Sequence, residues 1–182
     1  MISYAPFLKQ MLDGYRSNYN VSETENEFDE LVATAELHMK QGQHLVFKEF
    51  EMWSADDDEY VYVFRTPHLT VSIAEECINR AYEDGFPKIK LDHVNFRHQH
   101  MCTRLVALFM YDDADEDALK VLKKCRIYKS FQFSLKGWME MHTAGINLTD
   151  GNVISNRYGR ETAKFLKMHV EHYMKNTANL LK

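Results

Sequence analysis

The chain has 182 residues and a formal net charge of −5, which suits one domain with a core of its own and is too short for two ordinary domains. With 7 glycines and 3 prolines it is not collagen-like, linker-rich or of low complexity, and 45% hydrophobic residues allow a core that needs no disulfide or metal. No apolar run approaches the ~20 residues of a membrane helix, and the three cysteines form no CxxC pair. The first residues have no basic stretch ahead of an apolar one, so we expect no secretory signal. We therefore predict a single domain over residues 1–182, located in the cytoplasm and away from membranes.

The first part of the chain predicts one helix followed by three strands. Residues 4–16 carry apolar side chains at helical spacing after an early proline, which indicates an amphipathic helix. Residues 31–39 alternate between apolar and polar side chains, as a half-buried strand does, and residues 44–53 and 60–65 read as two further strands. Three consecutive strands of this kind predict a meander.

The middle of the chain predicts two helices around a buried strand. Ser72 and Glu75 form a capping-box pattern at the start of a helix that ends at Gly85. Residues 103–111 are so continuously apolar that we expect a strand buried on both faces. A short helix follows Asp112-Asp113, with acidic residues at its start and lysines at its end, an arrangement that the helix dipole favours.

The last third predicts strands and then a long helix. Residues 128–143 alternate again and predict one long strand, bent at Gly137, with Phe131 and Phe133 in the core. The Asp150-Gly151 pair further along is typical of a hairpin turn.

A closing helix is predicted from Tyr158 to the mid-170s. His169 continues its apolar stripe, so we interpret this residue as a partly buried histidine rather than as a metal ligand together with His172. These elements predict an α+β fold: a mainly antiparallel sheet of about six strands with an N-terminal helix, two crossing helices and a long C-terminal helix.

Charge is distributed unevenly along the chain. Residues 1–119 hold 10 basic and 23 acidic side chains, whereas residues 120–182 hold 12 basic and 4 acidic ones. Such an asymmetry can mark a half that binds polyanions, but in one domain the two halves interleave in space. We favour mutual neutralisation within the domain or between subunits, because a pI near 6.0 is far from that of a dedicated nucleic-acid binder.

The residues most suited to bind a metal lie close together in the sequence, at His93, His98, His100 and Cys102. On an extended chain the last three share a face, but the outer two are about 13 Å apart, too far to reach one metal ion without a bend. An ordinary histidine-rich loop explains the same pattern.

The order of predicted elements resembles that of restriction-endonuclease-like nucleases. Those enzymes place an acid on the second strand and an acid-x-Lys motif on the third, where carboxylates hold a divalent ion. Here the predicted second strand offers Glu49 and Glu51, but residues 60–65 contain no acid two positions before a lysine. A metal-dependent, nuclease-like hydrolase, with zinc or manganese on residues 92–102, is therefore our alternative hypothesis rather than the first.

Basic and aromatic side chains interleave over residues 123–133, as they do on nucleic-acid-binding surfaces. The period of the strand assigns the phenylalanines to the core, however, so nucleic acid is the less favoured partner. What remains is a binding surface of rim positions beside an otherwise buried strand, made of Tyr128, Lys129, Lys136 and Trp138.

The C-terminal third resembles a family of small bacterial proteins of unassigned function. The resemblance lies in Lys129-Ser130-Phe131, Lys136-Gly137-Trp138, and the segment from Asp150-Gly151 to Asn156 and Gly159. It implies no catalytic or binding residue. We therefore expect a cytoplasmic, non-enzymatic binding module without a cofactor, which associates with itself as a homodimer or with another protein.

Overall fold

The structure is a computed structural model, and it describes residues 1–24, 29–38, 46–47, 50–51, 57–89, 102–134 and 137–180. Its helices are α1 (Tyr4–Arg16), α2 (Val71–Gly85), α3 (Glu116–Lys124) and α4 (Arg160–Leu180), and a 3₁₀ turn over Phe86–Lys88 follows α2. Its strands are β1 (Asn20–Glu23), β2 (Leu31–His38), β3 (Val46–Phe47), β4 (Phe50–Glu51), β5 (Asp57–Leu69), β6 (Cys102–Ala114), β7 (Tyr128–Ser130), β8 (Trp138–Asn147) and β9 (Val153–Ser155).

Seven of these strands form one mixed sheet in the order β1-β2-β5-β6-β8-β7, and β9 pairs with β8 on the same side as β7. The α+β fold is confirmed, with an N-terminal helix, two crossing helices and a long C-terminal helix. Among the described strands, four pairings of this sheet are antiparallel, but the two longest, β5 with β6 and β6 with β8, are parallel. Parallel neighbours need a crossover, and α2 and α3 lie between the paired strands in the chain.

Helices cover both faces of the sheet. One face packs on α1 and α4 through residues such as Val106 and Leu108, and we call it the α1/α4 face. The other packs on α2 and α3 through residues such as Leu105 and Phe109, and we call it the α2/α3 face. Because all four residues belong to β6, the prediction of a strand buried on both faces is confirmed.

The predicted meander is wrong at its middle strand. β2 pairs directly with β5, with Ala35 opposite Val61, while the described parts of the predicted second strand, β3 and β4, pair with each other in a separate sheet. Alternation shows that a segment is extended, but it does not choose the partner strand.

Two predicted boundaries around α2 also shift. The strand predicted over 60–65 continues through Pro67 to Leu69 in β5. In the described residues β2 pairs with β5 only as far as Phe64, and a proline is tolerated where one side of a strand has no neighbour. The cap of α2 is Thr70, whose Oγ1 accepts the Ile73 N–H at 3.3 Å, and not the predicted Ser72.

The predicted long strand over residues 128–143 is wrong. The chain reverses between β7 and β8, which pair antiparallel as a hairpin, and Gly137 has a φ of 84° just before β8. Phe131, predicted in the core, is half-buried and packs against the α2/α3 core near Phe86, whereas Phe133 lies in the turn and is fully exposed instead of buried. The hairpin predicted at Asp150-Gly151 is confirmed, with Ile146 opposite Val153. Among the described helices, none has the length and apolar character needed to span a membrane.

Candidate functional site

The predicted binding residues lie at the outer edge of the sheet. Tyr128 and Lys129 belong to β7, and both are exposed, while half-buried Trp138 begins β8 opposite Ser130. Lys136 lies outside the described residues. The structure therefore brings three of the four predicted residues to one edge.

These three residues do not share one face of the sheet. Tyr128 stands opposite Glu140, on the α1/α4 face, together with Trp138. Lys129 stands opposite Met139, whose side chain belongs to the α2/α3 core. At this edge, the aromatic side chains of Tyr128 and Trp138 therefore lie on one face of the sheet and Lys129 lies on the other.

Among the described strands, none pairs with the outer side of β7. The Met141 N–H donates to the Ile127 carbonyl at 2.9 Å, and the Phe131 N–H donates to the Gly137 carbonyl at 3.0 Å. Since these bonds alternate along an antiparallel pair, the backbone groups of Tyr128 and Ser130 point away from β8. The outer side of the strand can therefore accept another strand.

The turn after β7 holds three consecutive residues in the left-handed region. Gln132, Phe133 and Ser134 have φ values of 48°, 56° and 65°, a conformation that costs each L-residue about 1–2 kcal/mol. It displays the Phe133 side chain, which is 99% exposed. The Oγ atoms of Ser130 and Ser134, 3.0 Å apart, hydrogen-bond across the base of this turn.

A second feature crosses the α1/α4 face near the amino ends of the parallel strands. Glu59, Arg104 and Glu140 are each the third residue of their strand and lie side by side in the register of β5, β6 and β8. We call these three residues the charged row. Glu59 is buried and accepts a hydrogen bond from the Tyr19 hydroxyl at 3.3 Å.

His142 lies next to the charged row on the same face. It is 3% exposed, and its Nε2 lies 3.0 Å from Oε1 of Glu140. Burial raises the pKa of Glu140, but the hydrogen bond and charge of His142, with Arg104 and the Trp138 indole N–H, leave it below the ordinary value. Burial lowers the pKa of His142 and outweighs the opposite effect of Glu140. The pair is therefore an ionised carboxylate that accepts from a neutral imidazole at pH 7.

The tautomer of His142 follows from this pairing. An ionised carboxylate only accepts, so the imidazole proton lies on Nε2 and Nδ1 is a bare acceptor. Among the described residues, no donor reaches the buried Nδ1. The Tyr158 ring lies nearly parallel to the imidazole, at 15° and with centroids 6.5 Å apart.

Asn156 closes the gap between the two short strands that share the edge of β8. Its side chain accepts from the N–H groups of Thr143 and Gly159 and donates to the carbonyls of Met141 and Cys125. The buried amide thus completes the sheet between β7 and β9. Gly159 is required beside it, because a Cβ there would lie 2.6 Å from the Thr143 carbonyl oxygen.

The residues predicted to suit a metal come just before β6 in the chain, apart from Cys102, which begins that strand. His93, His98 and His100 lie outside the described residues, and Cys102 is the buried first residue of β6. Within the described part of the chain, no group of three or more His, Cys, Asp or Glu side chains could hold a metal ion.

Neither the charged row nor the role of His142 was predicted from the sequence. The sequence carried only part of the signal: each charged residue lies close to an apolar run, but the predicted strands over 60–65, 103–111 and 128–143 do not place the three at equivalent positions. The sequence does not show the parallel register of β5, β6 and β8, and only this register makes the three residues neighbours.

The model of a protein family described as a domain of unknown function (DUF8052) matches residues 4–168. No curated protein matches the chain, and no solved structure does. The expected resemblance to a family without an assigned function is confirmed, and the match extends far beyond the C-terminal third.

Proposed function

We propose that this protein, which belongs to the DUF8052 family, is a cytoplasmic, non-enzymatic binding module that forms a homodimer through β7 and the turn after it. The observation that carries the proposal is the full exposure of Phe133 on a turn of three left-handed residues. The turn costs free energy within the monomer, whereas burying a phenylalanine against a partner gains about 1.5–3 kcal/mol. No cofactor is needed for this role.

The open side of β7 supplies the second part of the contact. Outward backbone groups at Tyr128 and Ser130 allow strand addition, and Tyr128, 44% exposed, adds an aromatic side chain beside the edge. A two-fold axis would bring the same edge of two copies together and close the assembly at a dimer. An open groove of about 350 Å³ lies next to this edge and can take up partner side chains; its lining is half apolar, with Ile78, Val121 and Ile127, and half polar, with Glu75, Asn79, Lys124 and Arg126.

Charge makes the contact selective rather than strong. Exposed Lys129 lies in the middle of β7, and a lysine in a short edge strand is a common protection against indiscriminate pairing. In a symmetric dimer the two lysines approach each other and repel by less than about 1 kcal/mol. The dimer should therefore become tighter as salt screens this repulsion.

Sedimentation equilibrium over a range of protein concentrations tests the proposal. Phe133→Ser should weaken the dimer more than a hundredfold, because both copies lose an anchor worth about 1.5 kcal/mol or more. Ser130→Pro removes an outward N–H without removing a bond to β8 and should weaken it as well. Met174→Ser, at an exposed apolar side chain on α4, is the matched control. A wild-type protein that stays monomeric at high concentration, or a dimer that neither variant weakens, would refute the proposal.

The hydrolase remains a separate hypothesis, since its predicted ligands lie outside the described residues. Elemental analysis of untagged protein tests it directly. Zinc or manganese in a one-to-one ratio, lost in His98→Ala and His100→Ala, would favour hydrolysis over the binding module.

A further inference from the structure

A cavity opens at the carboxyl ends of two parallel strands, and we call it the carboxyl-end cavity. Its volume is about 340 Å³, and its wall includes Tyr111 near the end of β6 and Asn147 at the end of β8, which are neighbours in the register. Small-molecule sites are clefts of about 300–1,000 Å³, and in open α/β sheets they lie outside the carboxyl ends of the strands. The size and position of this cavity therefore fit a small molecule.

The floor of the carboxyl-end cavity is apolar and its rim is charged. Leu119 and Ile154 line it and are half-buried, whereas Lys123, Asp113 and Asp150 line it and are exposed. Leu119 and Lys123 are four residues apart in α3, so they lie on the same side of that helix. A molecule that enters from the solvent therefore reaches the charged groups first and the apolar surface behind them.

The charges at the rim are not paired with one another. Among the described residues, Lys123 makes no ion pair. Asp113 lies 3.0 Å from the Nδ1 atom of His68, and Asp150 accepts a hydrogen bond from the Asn152 N–H at 2.8 Å. One cavity therefore carries charges of both signs that are free to contact a molecule placed between them.

The hydroxyl of Tyr111 is a polar group at the floor of the same cavity. Tyr111 is 2% exposed, and its ring packs on Gly145, where a Cβ would lie 3.0 Å from Cε1. Its hydroxyl makes no hydrogen bond to a described residue. Burial, followed by the charge of Asp150, raises the pKa of Tyr111 to about 12, so the hydroxyl keeps its proton at pH 7. A molecule in the cavity can therefore donate to this hydroxyl or accept from it.

The rim selects the charge of the ligand. An anion is attracted by Lys123 but repelled by Asp113 and Asp150, and a simple cation meets the reverse. A zwitterion that holds both charges on one carbon atom gives each sign at the rim an opposite partner. The apolar floor formed by Leu119 and Ile154 gains further free energy when it is covered by an apolar side chain.

The carboxyl-end cavity lies far from the edge that the proposed dimer uses. β7 pairs with β8 over Trp138 to Glu140, whereas Asn147 at the cavity follows Glu140 by seven residues, about 23 Å along the strand. Between these two places, β9 pairs with the same edge of β8. Strand pairing at β7 therefore leaves the cavity accessible.

We propose that the carboxyl-end cavity binds a free α-amino acid with an apolar side chain. Lys123 pairs with its carboxylate, and Asp113 and Asp150 pair with its ammonium group. Its side chain packs on Leu119 and Ile154.

Backbone ¹H–¹⁵N correlation spectra of the ¹⁵N-labelled protein, titrated with L-leucine, test the proposal. We expect the amide resonances of residues at the cavity, such as Leu119 and Asn152, to move as L-leucine is added. Two analogues of leucine each carry one of its charges: 4-methylpentanoate lacks the ammonium group, and 3-methylbutylammonium lacks the carboxylate. Each should bind about tenfold more weakly than L-leucine, because it loses one charged contact and leaves a repulsion uncompensated.

Two pairs of variants separate the cavity from the surface around it. Lys123→Gln should weaken leucine binding about fivefold, whereas Lys120→Gln, at an exposed lysine of the same helix outside the cavity wall, should not change it. Asp113→Asn should also weaken binding. Asp115→Asn removes the other carboxylate beside His68, which lies outside the cavity wall, and should bind leucine as the wild type does.

Three results would overturn the proposal. The first is that L-leucine moves no amide resonance at the cavity. The second is that either single-charge analogue binds as tightly as L-leucine. The third is that Lys123→Gln and Asp113→Asn bind leucine as tightly as their controls do. None of these results depends on dimer formation, so they are distinguishable from a failure of the proposed function.

Discussion

Replacing Asn156 by alanine should be one of the most damaging changes in the described part of this protein. The substitution removes an amide that serves four backbone groups: the N–H groups of Thr143 and Gly159, at 3.2 and 2.7 Å, and the carbonyls of Met141 and Cys125, at 2.8 and 3.0 Å. Each buried backbone group left without a partner costs about 1–3 kcal/mol. Even if water reaches two of them, the free energy of unfolding should fall by about 3 kcal/mol or more, a large part of the 5–15 kcal/mol typical of a domain.

Urea unfolding, followed by circular dichroism, measures this loss as a lower midpoint. Asn152→Ala is the matched control, because Asn152 is exposed and, among the described residues, its side chain hydrogen-bonds with Asp150 alone. We expect the control to change the free energy of unfolding by less than about 0.5 kcal/mol. Asn156→Asp keeps an acceptor for the two N–H groups but turns an oxygen toward two carbonyls, so it too should destabilise. If Asn156→Ala unfolds at the same urea concentration as Asn152→Ala, the idea that one amide completes the sheet edge is wrong.

Two further changes test other parts of the fold. Burial, and to a lesser degree the charge of His172, lowers the pKa of His169 to about 4 from the ordinary 6.5. The unfolded chain therefore takes up this proton at a higher pH than the folded protein, and about 3 kcal/mol of stability, present above pH 6.5, is lost as the pH falls toward 4. Urea unfolding at several pH values should show this loss in the wild type and much less of it in His169→Gln; an identical pH dependence in both would argue against it. Thr70→Ala removes the cap of α2 and should cost about 1 kcal/mol, whereas Ser3→Ala at the start of α1 should cost little, since the Ser3 side chain makes no cap hydrogen bond. Equal losses from the two would contradict the assignment of the cap.

Sequence patterns predicted the structure correctly where the residues of a single element determine its conformation or burial. The apolar run around Leu108 required a strand buried on both faces, wherever its partners lay. The Asp150-Gly151 turn closes the predicted hairpin, and Gly151 has the positive φ of 78° that such a turn uses. His169 was predicted to be partly buried in α4, and it is 8% exposed.

The same patterns failed where the choice of partner mattered. Alternation over 128–143 was compatible with one long strand or with a hairpin, and the left-handed turn at Phe133 contains none of the glycine or asparagine residues that announce such a conformation. The role of Asn156 in completing the sheet between β7 and β9 could not be predicted, because its four backbone partners come from three separate parts of the chain.

Composition and periodicity by themselves determined the α+β class, the helices and most strand positions, because helical and extended segments repeat their apolar side chains at different intervals. Only the tertiary structure decided that Glu59, Arg104 and Glu140 are neighbours. It also decided that Nδ1 of His142 is buried and receives no hydrogen bond from the described residues. The reason is that strand register is set by packing between segments far apart in the sequence, and a shift of one residue would move each of these side chains to the opposite face.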